Sequence, residues 1–227
     1  MLQKIIAISG GIGSGKSVVS RLLRTMGYEV YDCDSEAKTI MDSSVEMHVA
    51  LIESFGEDVL TESGGVDRKR LGNIVFSDNA KLKRLNEIVH HAVIEDLKNR
   101  INAYDIRSSR RDFFFFETAI LFESGLDRLA DRIWWVDAPR DIRIERVMKR
   151  NNLTRDEVEA RISCQTDSLP EAENVSLIAN YGNYAVIPQV ESLVSMAYTE
   201  VNTKIRNYNG QIHTYAEGMK LYKSDTP

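Results

Sequence analysis

The residues of this chain that most plainly carry chemistry are Gly10–Ser17, which read Gly-Gly-Ile-Gly-Ser-Gly-Lys-Ser. They match the complete pattern G-x-x-x-x-G-K-[ST]. In such a loop, glycines let successive backbone N–H groups turn inward around a phosphate, so a bulky side chain at Gly13 or Gly15 should block it. The pattern predicts nucleotide binding, with Lys16 on the β and γ phosphates and the Ser17 hydroxyl offered to Mg²⁺.

The sequence around the loop supplies the strand and the helix that this setting requires. Ile5–Ile8 is a continuous apolar run, which is typical of a strand buried on both faces of a parallel sheet. After the loop, apolar residues recur at helical spacing as far as Met26, and Gly27 is a helix stop signal. This context favours a phosphate-binding loop over a chance glycine-rich turn.

Three carboxylates stand at the ends of predicted strands: Asp32 and Asp34 after the second strand, and Glu117 after the third. During phosphoryl transfer, a carboxylate can orient an acceptor hydroxyl and take its proton, while a neighbouring carboxylate holds metal-bound water. We expect Asp34 to be the base and Asp32 its support; helix capping or pairing with an arginine is an equal alternative for Asp32. Glu117 is suited to contact metal-bound water or the acceptor.

Basic residues crowd the stretch 139–163, after the fourth predicted strand: Arg140, Arg143, Arg146, Lys149, Arg150, Arg155 and Arg161. A charge run is usually a solvated helix face. Phosphoryl transfer, however, needs cations over the γ phosphate, and these commonly sit on a mobile lid. We therefore expect at least one of these arginines to act from a lid.

The remaining predicted strands are Tyr28–Asp32, Phe113–Phe116, Arg132–Ala138 and Val175–Ala179. Strands that alternate with helical patterns predict an α/β fold, with a parallel sheet covered on both faces and ligands outside the carboxyl ends of the strands. The segment 36–112 is far longer than a crossover helix requires, which predicts a helical insertion that binds a second substrate. The nucleotide-binding core is then 1–35 with 113–206, and 207–227 is a C-terminal tail.

The composition narrows the classes of partner. The 227-residue chain has a net charge of −5, which argues against a protein that coats nucleic acid. Cys33 and Cys164 are far apart and lack metal-ligand spacing, so neither a disulfide framework nor a zinc site is predicted. No apolar run approaches a membrane span, and we expect no cleavable signal before the first strand. We expect a cytoplasmic monomer or weak homo-oligomer, without nucleic-acid or membrane partners.

Taken together, the motifs resemble the dephospho-coenzyme A kinase family over nearly all of the chain up to about residue 205. The loop alone would be generic, whereas the ordered set is specific. The matching segments are Ile8–Ser17, Asp32-Cys33-Asp34 with Ala37, Phe55-Gly56, Val66-Asp67-Arg68 with Leu71, Ile74-Val75-Phe76, Leu85-Asn86 with His90, Ile120–Glu123, Arg146–Thr154, Gln165 and Ile178–Gly182.

The resemblance implies a P-loop NTPase-type kinase with a five-stranded parallel sheet of order 2-3-1-4-5, a helical acceptor-binding insertion and an arginine-bearing lid. It implies ATP-dependent phosphorylation of the ribose 3′-hydroxyl of dephospho-coenzyme A, which yields coenzyme A and ADP and requires Mg²⁺ as cofactor.

By position in the family pattern, Asp34, Lys16 and Arg150 would be the catalytic residues. The nucleotide would be bound by Gly11, Gly13, Ser14, Gly15, Lys16, Ser17, Val18 and Asn180. The acceptor would be bound by Asp34, Arg68, His90 and Glu117, and Mg²⁺ by Ser17 and Asp32, the latter directly or through water. For His90, the alternative is a purely structural role as a partly buried histidine of a helix.

Three residues depart from the family pattern: His91 and Ala119 stand where prolines are usual, and Ala179 replaces an acid. None is a phosphate ligand, but the shape of the acceptor pocket depends on such positions. The alternatives are another small-molecule or nucleoside monophosphate kinase, a nucleotide-dependent switch, and an inactive scaffold. Against the switch, the chain has no Asn-Lys-x-Asp segment for reading guanine.

Overall fold

The computed structural model describes residues 4–104, 113–163, 165 and 172–209, with side chains as far as Val201. The strands are β1 (Lys4–Ser9), β2 (Val30–Asp32), β3 (Phe113–Glu117), β4 (Arg132–Asp137) and β5 (Val175–Ala179). The helices are α1 (Lys16–Thr25), α2 (Cys33–Ser43), α3 (Val45–Phe55), α4 (Arg68–Phe76), α5 (Asn79–Ala103), α6 (Arg140–Asn151), α7 (Arg155–Ile162) and α8 (Val186–Asn209). Short 3₁₀ turns cover Glu57–Val59 and Leu126–Leu129.

The five strands form one parallel sheet of order β2-β3-β1-β4-β5. This confirms the fold class and the strand order expected from the sequence. Because all strands run the same way, the loop after β1 and the carboxylates after β2 and β3 meet at one edge of the sheet.

The second strand is shorter than predicted, since it begins at Val30 rather than Tyr28. The Tyr28 amide donates to the Leu23 carbonyl and the Gly27 amide to Arg24, with Gly27 at φ 83°. These bonds close a Schellman motif at the end of α1. Tyr28 is therefore part of the helix cap, and its ring packs on Phe113 and Phe115.

Alternate strand residues face two separate cores. On one face, residues such as Ile6, Phe115 and Trp134 pack with α1 and α8. On the other, Phe114 and Phe116 pack with α5. This double burial explains why the strands read as continuous apolar runs.

The segment between β2 and β3 is helical and has its own core, built from the buried residues Met47, Leu51, Val59, Leu71, Val75 and Ile88. The predicted boundary at residue 36 falls inside α2, which begins at Cys33. The long helix α5 also packs on the sheet, so it joins this core to the rest of the molecule.

Helices α6 and α7 form a hairpin with a small core of Ile144, Val147, Val158 and Ile162, against which Ile12 packs. The lid segment therefore touches the phosphate loop directly. Farther on, α8 continues through Asn209, into the predicted tail, while residues 210–227 lie outside the described part of the chain. Within the described residues, no helix is both long enough and apolar enough to span a membrane.

Candidate functional site

The loop between β1 and α1 has the conformation that its glycines make possible. Gly13 lies at φ 81° and Gly15 at φ 98°, in the region that favours glycine. A Cβ added at Gly13 would lie 2.5 Å from the Arg143 carbonyl oxygen. The loop thus packs on α6 so closely that only glycine fits, and it leads into the N-terminus of α1, where backbone amides favour an anion.

Three distant side chains hold the outer side of this loop. The Asn180 Nδ2 donates to the Ser14 carbonyl at 2.8 Å. The Arg146 guanidinium donates to the Gly13 and Ser14 carbonyls, each at 3.3 Å, and to the Asn180 carbonyl at 2.8 Å. Gln165 accepts from the Ile12 amide at 3.1 Å. These bonds tie the Gly13 and Ser14 carbonyls and the Ile12 amide to residues of other elements, which holds the loop in its shape.

Lys16 is buried, and its Nζ donates to the Gly10 carbonyl at 2.7 Å. Burial lowers the pKa of Lys16 to about 8; the charges of Glu117 and Asp34 oppose this shift, and those of Arg150 and Arg143 add to it. Asp34, Glu117 and Arg150 therefore lie close enough to Lys16 for their charges to affect its pKa. All four had been selected from the sequence as site residues.

The carboxylates at the strand ends lie side by side, since Asp32 of β2 and Glu117 of β3 are partners in register. Burial raises the pKa of Glu117, and the charge of Asp32 raises the pKa further, while the charge of Lys16 opposes these shifts. Asp32 is also the N-cap of α2, because its Oδ1 accepts from the amides of Asp34 and Ser35. The capping alternative for Asp32 is therefore realised, and Oδ2 takes no part in that cap.

The donors at this edge fit a magnesium ion. Ser17 is exposed in the first turn of α1, and the carboxylates of Asp32 and Glu117 are oxygen donors, which Mg²⁺ prefers. Within the described residues there is no cluster of three or more carboxylate, histidine or cysteine ligands. Mg²⁺ usually combines one or two protein ligands with water and substrate phosphates, and the residues that would hold it here are Ser17 and Asp32.

A cleft of about 470 Å³ opens beside Asp34, between α2 and α4. Arg68 lines the same cleft and pairs with Asp42, at 2.9 Å to each carboxylate oxygen. The other lining residues are Ala37, Lys38, Met41, Leu71, Gly72, Val75, Phe76 and Leu85. The cleft thus combines an apolar wall, two basic side chains and the carboxylate predicted to act as base.

The predicted acceptor residue His90 lies on α5. It is half-buried on α5, on the helical face of Val93, Ile94 and Leu97, and burial lowers its pKa. His90 is not among the described residues that line the cleft of Asp34 and Arg68. His91 lines a second cleft of about 660 Å³, between α2, α3 and α5, so this departure from the family pattern lies away from Asp34.

The arginines of the lid segment have different surroundings. Arg150 is exposed near the end of α6, where its Nε donates to Asn151. Arg143 is buried, and Arg146 braces the loop. Sequence reasoning selected Arg150 and missed the bracing role of Arg146, because in the sequence all of these arginines belong to one undivided charge run.

Comparisons with known proteins show which family this chain resembles. The family model described as Dephospho-CoA kinase matches residues 4–182. The Dephospho-CoA kinase of Carboxydothermus hydrogenoformans is 39% identical over 177 residues, which are 78% of this chain and 84% of the relative. That of Bacillus licheniformis is 40% identical over 162 residues, 71% and 79% of the two chains.

Two solved structures have similar folds. TT1252 from Thermus thermophilus has a TM-score of 0.67 at 31% identity, and the match covers 88% of this chain and 98% of that one. Dephospho-CoA kinase from Campylobacter jejuni has a TM-score of 0.61 at 23% identity, with 87% and 98% covered, and bears on the fold alone.

Proposed function

Since this chain belongs to the dephospho-CoA kinase family, which catalyses ATP-dependent phosphorylation of dephospho-CoA, we propose that it transfers the γ-phosphoryl group to the ribose 3′-hydroxyl at the edge where Lys16 and Asp34 meet. One observation supports this most directly. The charge of Asp34 raises the pKa of Lys16, and Asp34 also lines the cleft beside α4. It therefore borders both the phosphate loop and a space of the kind that an acceptor needs.

The loop residues from Gly11 to Val18 hold ATP in this proposal. Their amides, together with the N-terminus of α1, face the phosphates, while Lys16 carries a positive charge to the β and γ phosphates. Because Lys16 is buried, its charge is poorly screened and stabilises the developing negative charge more strongly than a surface lysine would. Asn180 keeps the loop in this shape through the Ser14 carbonyl.

Asp34 acts as the general base. Its carboxylate orients the 3′-hydroxyl and accepts its proton as the oxygen attacks the γ phosphate. Ser17 and Asp32 would hold Mg²⁺, which supplies charge neutralisation between the β and γ phosphates when bound. Glu117, whose pKa burial raises, is assigned to the acceptor ribose beside Asp34.

Arg150 supplies positive charge from the lid. Its charge lowers the pKa of Lys16, so it acts on the same site, and closure of the lid would bring it over the transferring group. The hairpin of α6 and α7 then excludes water, which prevents hydrolysis of ATP.

The acceptor lies in the insertion, with Arg68 on its diphosphate and His90 contributing from α5. We place the reaction in the cytoplasm, because the two widely separated cysteines of the sequence are typical of a reducing compartment.

An acceptor panel tests the proposed function. Release of ADP from Mg·ATP is measured with dephospho-CoA, nucleoside monophosphates, adenosine and shikimate, and the product is analysed by mass spectrometry. We expect a gain of one phosphate on dephospho-CoA alone. Turnover with another acceptor instead would retain the P-loop mechanism and overturn the substrate, and release without any acceptor would favour a nucleotide-dependent switch.

A further inference from the structure

Phe76 is the most exposed large hydrophobic side chain among the described residues, at 79% exposed. It ends α4 and lines the cleft that also contains Asp34. A single exposed hydrophobic residue on a convex surface would need no explanation, but an aromatic ring at a concave site beside a carboxylate and two basic residues is typical of ligand binding.

The ring is directed into the cleft by the helix itself. A Cβ added at Gly72, one turn earlier in α4, would lie 3.3 Å from Cε2 and 3.6 Å from Cδ2 of Phe76. The ring therefore lies back over Gly72, toward the start of α4, as aromatic side chains on helices usually do. The Cδ2–Cε2 edge of the ring lies over this glycine, and most of the ring surface is open to solvent.

The cleft has an aromatic end and a cationic end. Arg68, in the first turn of α4, donates to the Lys38 carbonyl and pairs with Asp42, both in the second half of α2. Eight residues separate Arg68 from Phe76, which places them about 12 Å apart along the axis of α4. Asp34 lies in the first turn of α2, about one turn before Lys38 and about two turns before Asp42.

We propose that Phe76 is the platform on which the adenine of the acceptor stacks. The inference rests on the proposed function and names the part of dephospho-CoA that each end of the cleft takes. In that acceptor, the base is attached to C1′ of the ribose and the 5′-diphosphate is attached through C5′ to C4′, so the two groups extend from either side of the ring oxygen. With adenine on Phe76 and the diphosphate toward Lys38 and Arg68, the ribose lies between the two ends and its 3′-hydroxyl is directed to Asp34.

Binding of dephospho-CoA is measured by calorimetry for the wild type and for Phe76→Ala, Phe76→Leu and Phe76→Tyr, with a non-hydrolysable ATP analogue saturating the loop. Since base–aromatic stacking is lost with Ala and Leu, we expect about 10- to 100-fold weaker binding for both, and near-normal binding for Tyr. KM for dephospho-CoA should rise in parallel, with kcat and KM for ATP unchanged. Met196→Ala, a change at an exposed residue of α8, is the control, and all variants should keep the wild-type thermal midpoint because both side chains are largely exposed.

A second ligand identifies what Phe76 contacts. The methyl ester of adenosine 5′-diphosphate keeps the base, ribose and diphosphate and lacks the pantetheine arm. We expect Phe76→Ala to weaken this analogue by the same factor as dephospho-CoA. A loss restricted to dephospho-CoA would assign Phe76 to the arm and overturn the inference, as would normal binding by Phe76→Leu.

These outcomes are separable from failure of the proposed function. If the wild type binds dephospho-CoA in a Phe76-dependent way and does not phosphorylate it, the assignment of the cleft stands and the proposed function is wrong. If the wild type does not bind dephospho-CoA, both are overturned.

Discussion

Lys16 shows how one residue changes its chemistry when the chain folds. In the sequence it is the lysine of a loop motif; in the structure it is buried and its pKa is lowered to about 8, chiefly by burial. The phosphates of ATP favour the charged amine. Binding of ATP should therefore return a proton to Lys16 at pH values where the free protein has lost it.

The first prediction concerns the pH dependence of ATP binding. Above pH 8 the free protein has lost the Lys16 proton and the complex regains it, so the complex binds more protons and affinity must fall as pH rises. We expect ATP affinity to fall by up to about tenfold per pH unit between pH 8 and 9.5. Calorimetry at pH 9 in buffers of different ionisation enthalpy should show uptake of about one proton.

The control for this prediction is Lys16→Arg, whose guanidinium stays charged at pH 9 and should bind ATP without proton uptake. An ATP affinity that is constant from pH 7.5 to 9.5 in the wild type would contradict it.

The second prediction concerns Asp34, the proposed base. Asp34→Asn keeps the size and removes the proton acceptor, so we expect kcat to fall by about 10² to 10⁴, with ATP affinity nearly unchanged. Steady-state kinetics with dephospho-CoA and calorimetry with ATP measure the two effects. Asp58→Asn, at an exposed carboxylate far along the insertion, is the matched control and should retain wild-type turnover. Wild-type turnover in Asp34→Asn would remove Asp34 from the mechanism.

At the scale of elements, the phosphate loop is shaped by the lid helix α6 as much as by its own glycines. The Arg143 carbonyl contacts Gly13, and Arg146 donates to the next carbonyls of the loop. Ile12 packs into the core shared by α6 and α7. Movement of the lid is therefore coupled to the geometry of the phosphate site.

The third prediction separates this contact from the cost of backbone conformation. Gly13 and Gly64 have φ of 81° and 85°, but a Cβ at Gly64 meets nothing within 4 Å. Both Gly→Ala variants carry the same strain of roughly 1–2 kcal/mol. Gly13→Ala adds overlap with the Arg143 backbone, which should cost about 1–3 kcal/mol more in the free energy of unfolding.

Urea unfolding measures the stability difference between these two variants, and calorimetry measures their ATP affinity. We expect only Gly13→Ala to weaken ATP binding. Equal behaviour of the two variants would mean that the contact between the loop and α6 does not shape the site.

In the molecule as a whole, a cluster of charged side chains lies at the amino ends of the central strands, opposite the carboxyl ends that form the site. Glu200 of α8 pairs with Lys4 of β1 and, at 3.0 Å, with Arg132 of β4. The side chain of Lys4 is only 6% exposed, so its charge depends on this partner. The cluster ties the last helix to two central strands, away from the carboxyl ends that hold the ligands.

The fourth prediction follows from this cluster. Glu200→Gln leaves the buried Lys4 charge uncompensated and should lower the free energy of unfolding by about 1–3 kcal/mol, less than for a fully buried pair because Glu200 is one-third exposed. The melting temperature should fall by roughly 2–4 °C per kcal/mol, while turnover at 25 °C persists. Glu95→Gln, which breaks the exposed pair with Lys98, is the control and should not change the melting temperature measurably. Equal melting temperatures for the wild type and Glu200→Gln would contradict the prediction.

Much of the fold followed from local pattern. The loop motif, the apolar runs and their alternation with helices predicted the strands to within a few residues, because burial on both faces leaves a continuous apolar signal. The start of β2 was wrong, since the apolar Tyr28 belongs to the cap of α1. Periodicity alone does not distinguish a buried cap residue from a strand residue.

The phosphate loop, the parallel sheet and the family could be predicted from the sequence, because neighbouring residues or an ordered set of motifs encode each of them. Which side chains lie together depended on the tertiary fold. It brought Asp34, Glu117 and Arg150 to Lys16 and placed Arg146 on the loop. Such contacts join residues many positions apart, so they depend on how helices and strands pack, and no local spacing encodes that packing.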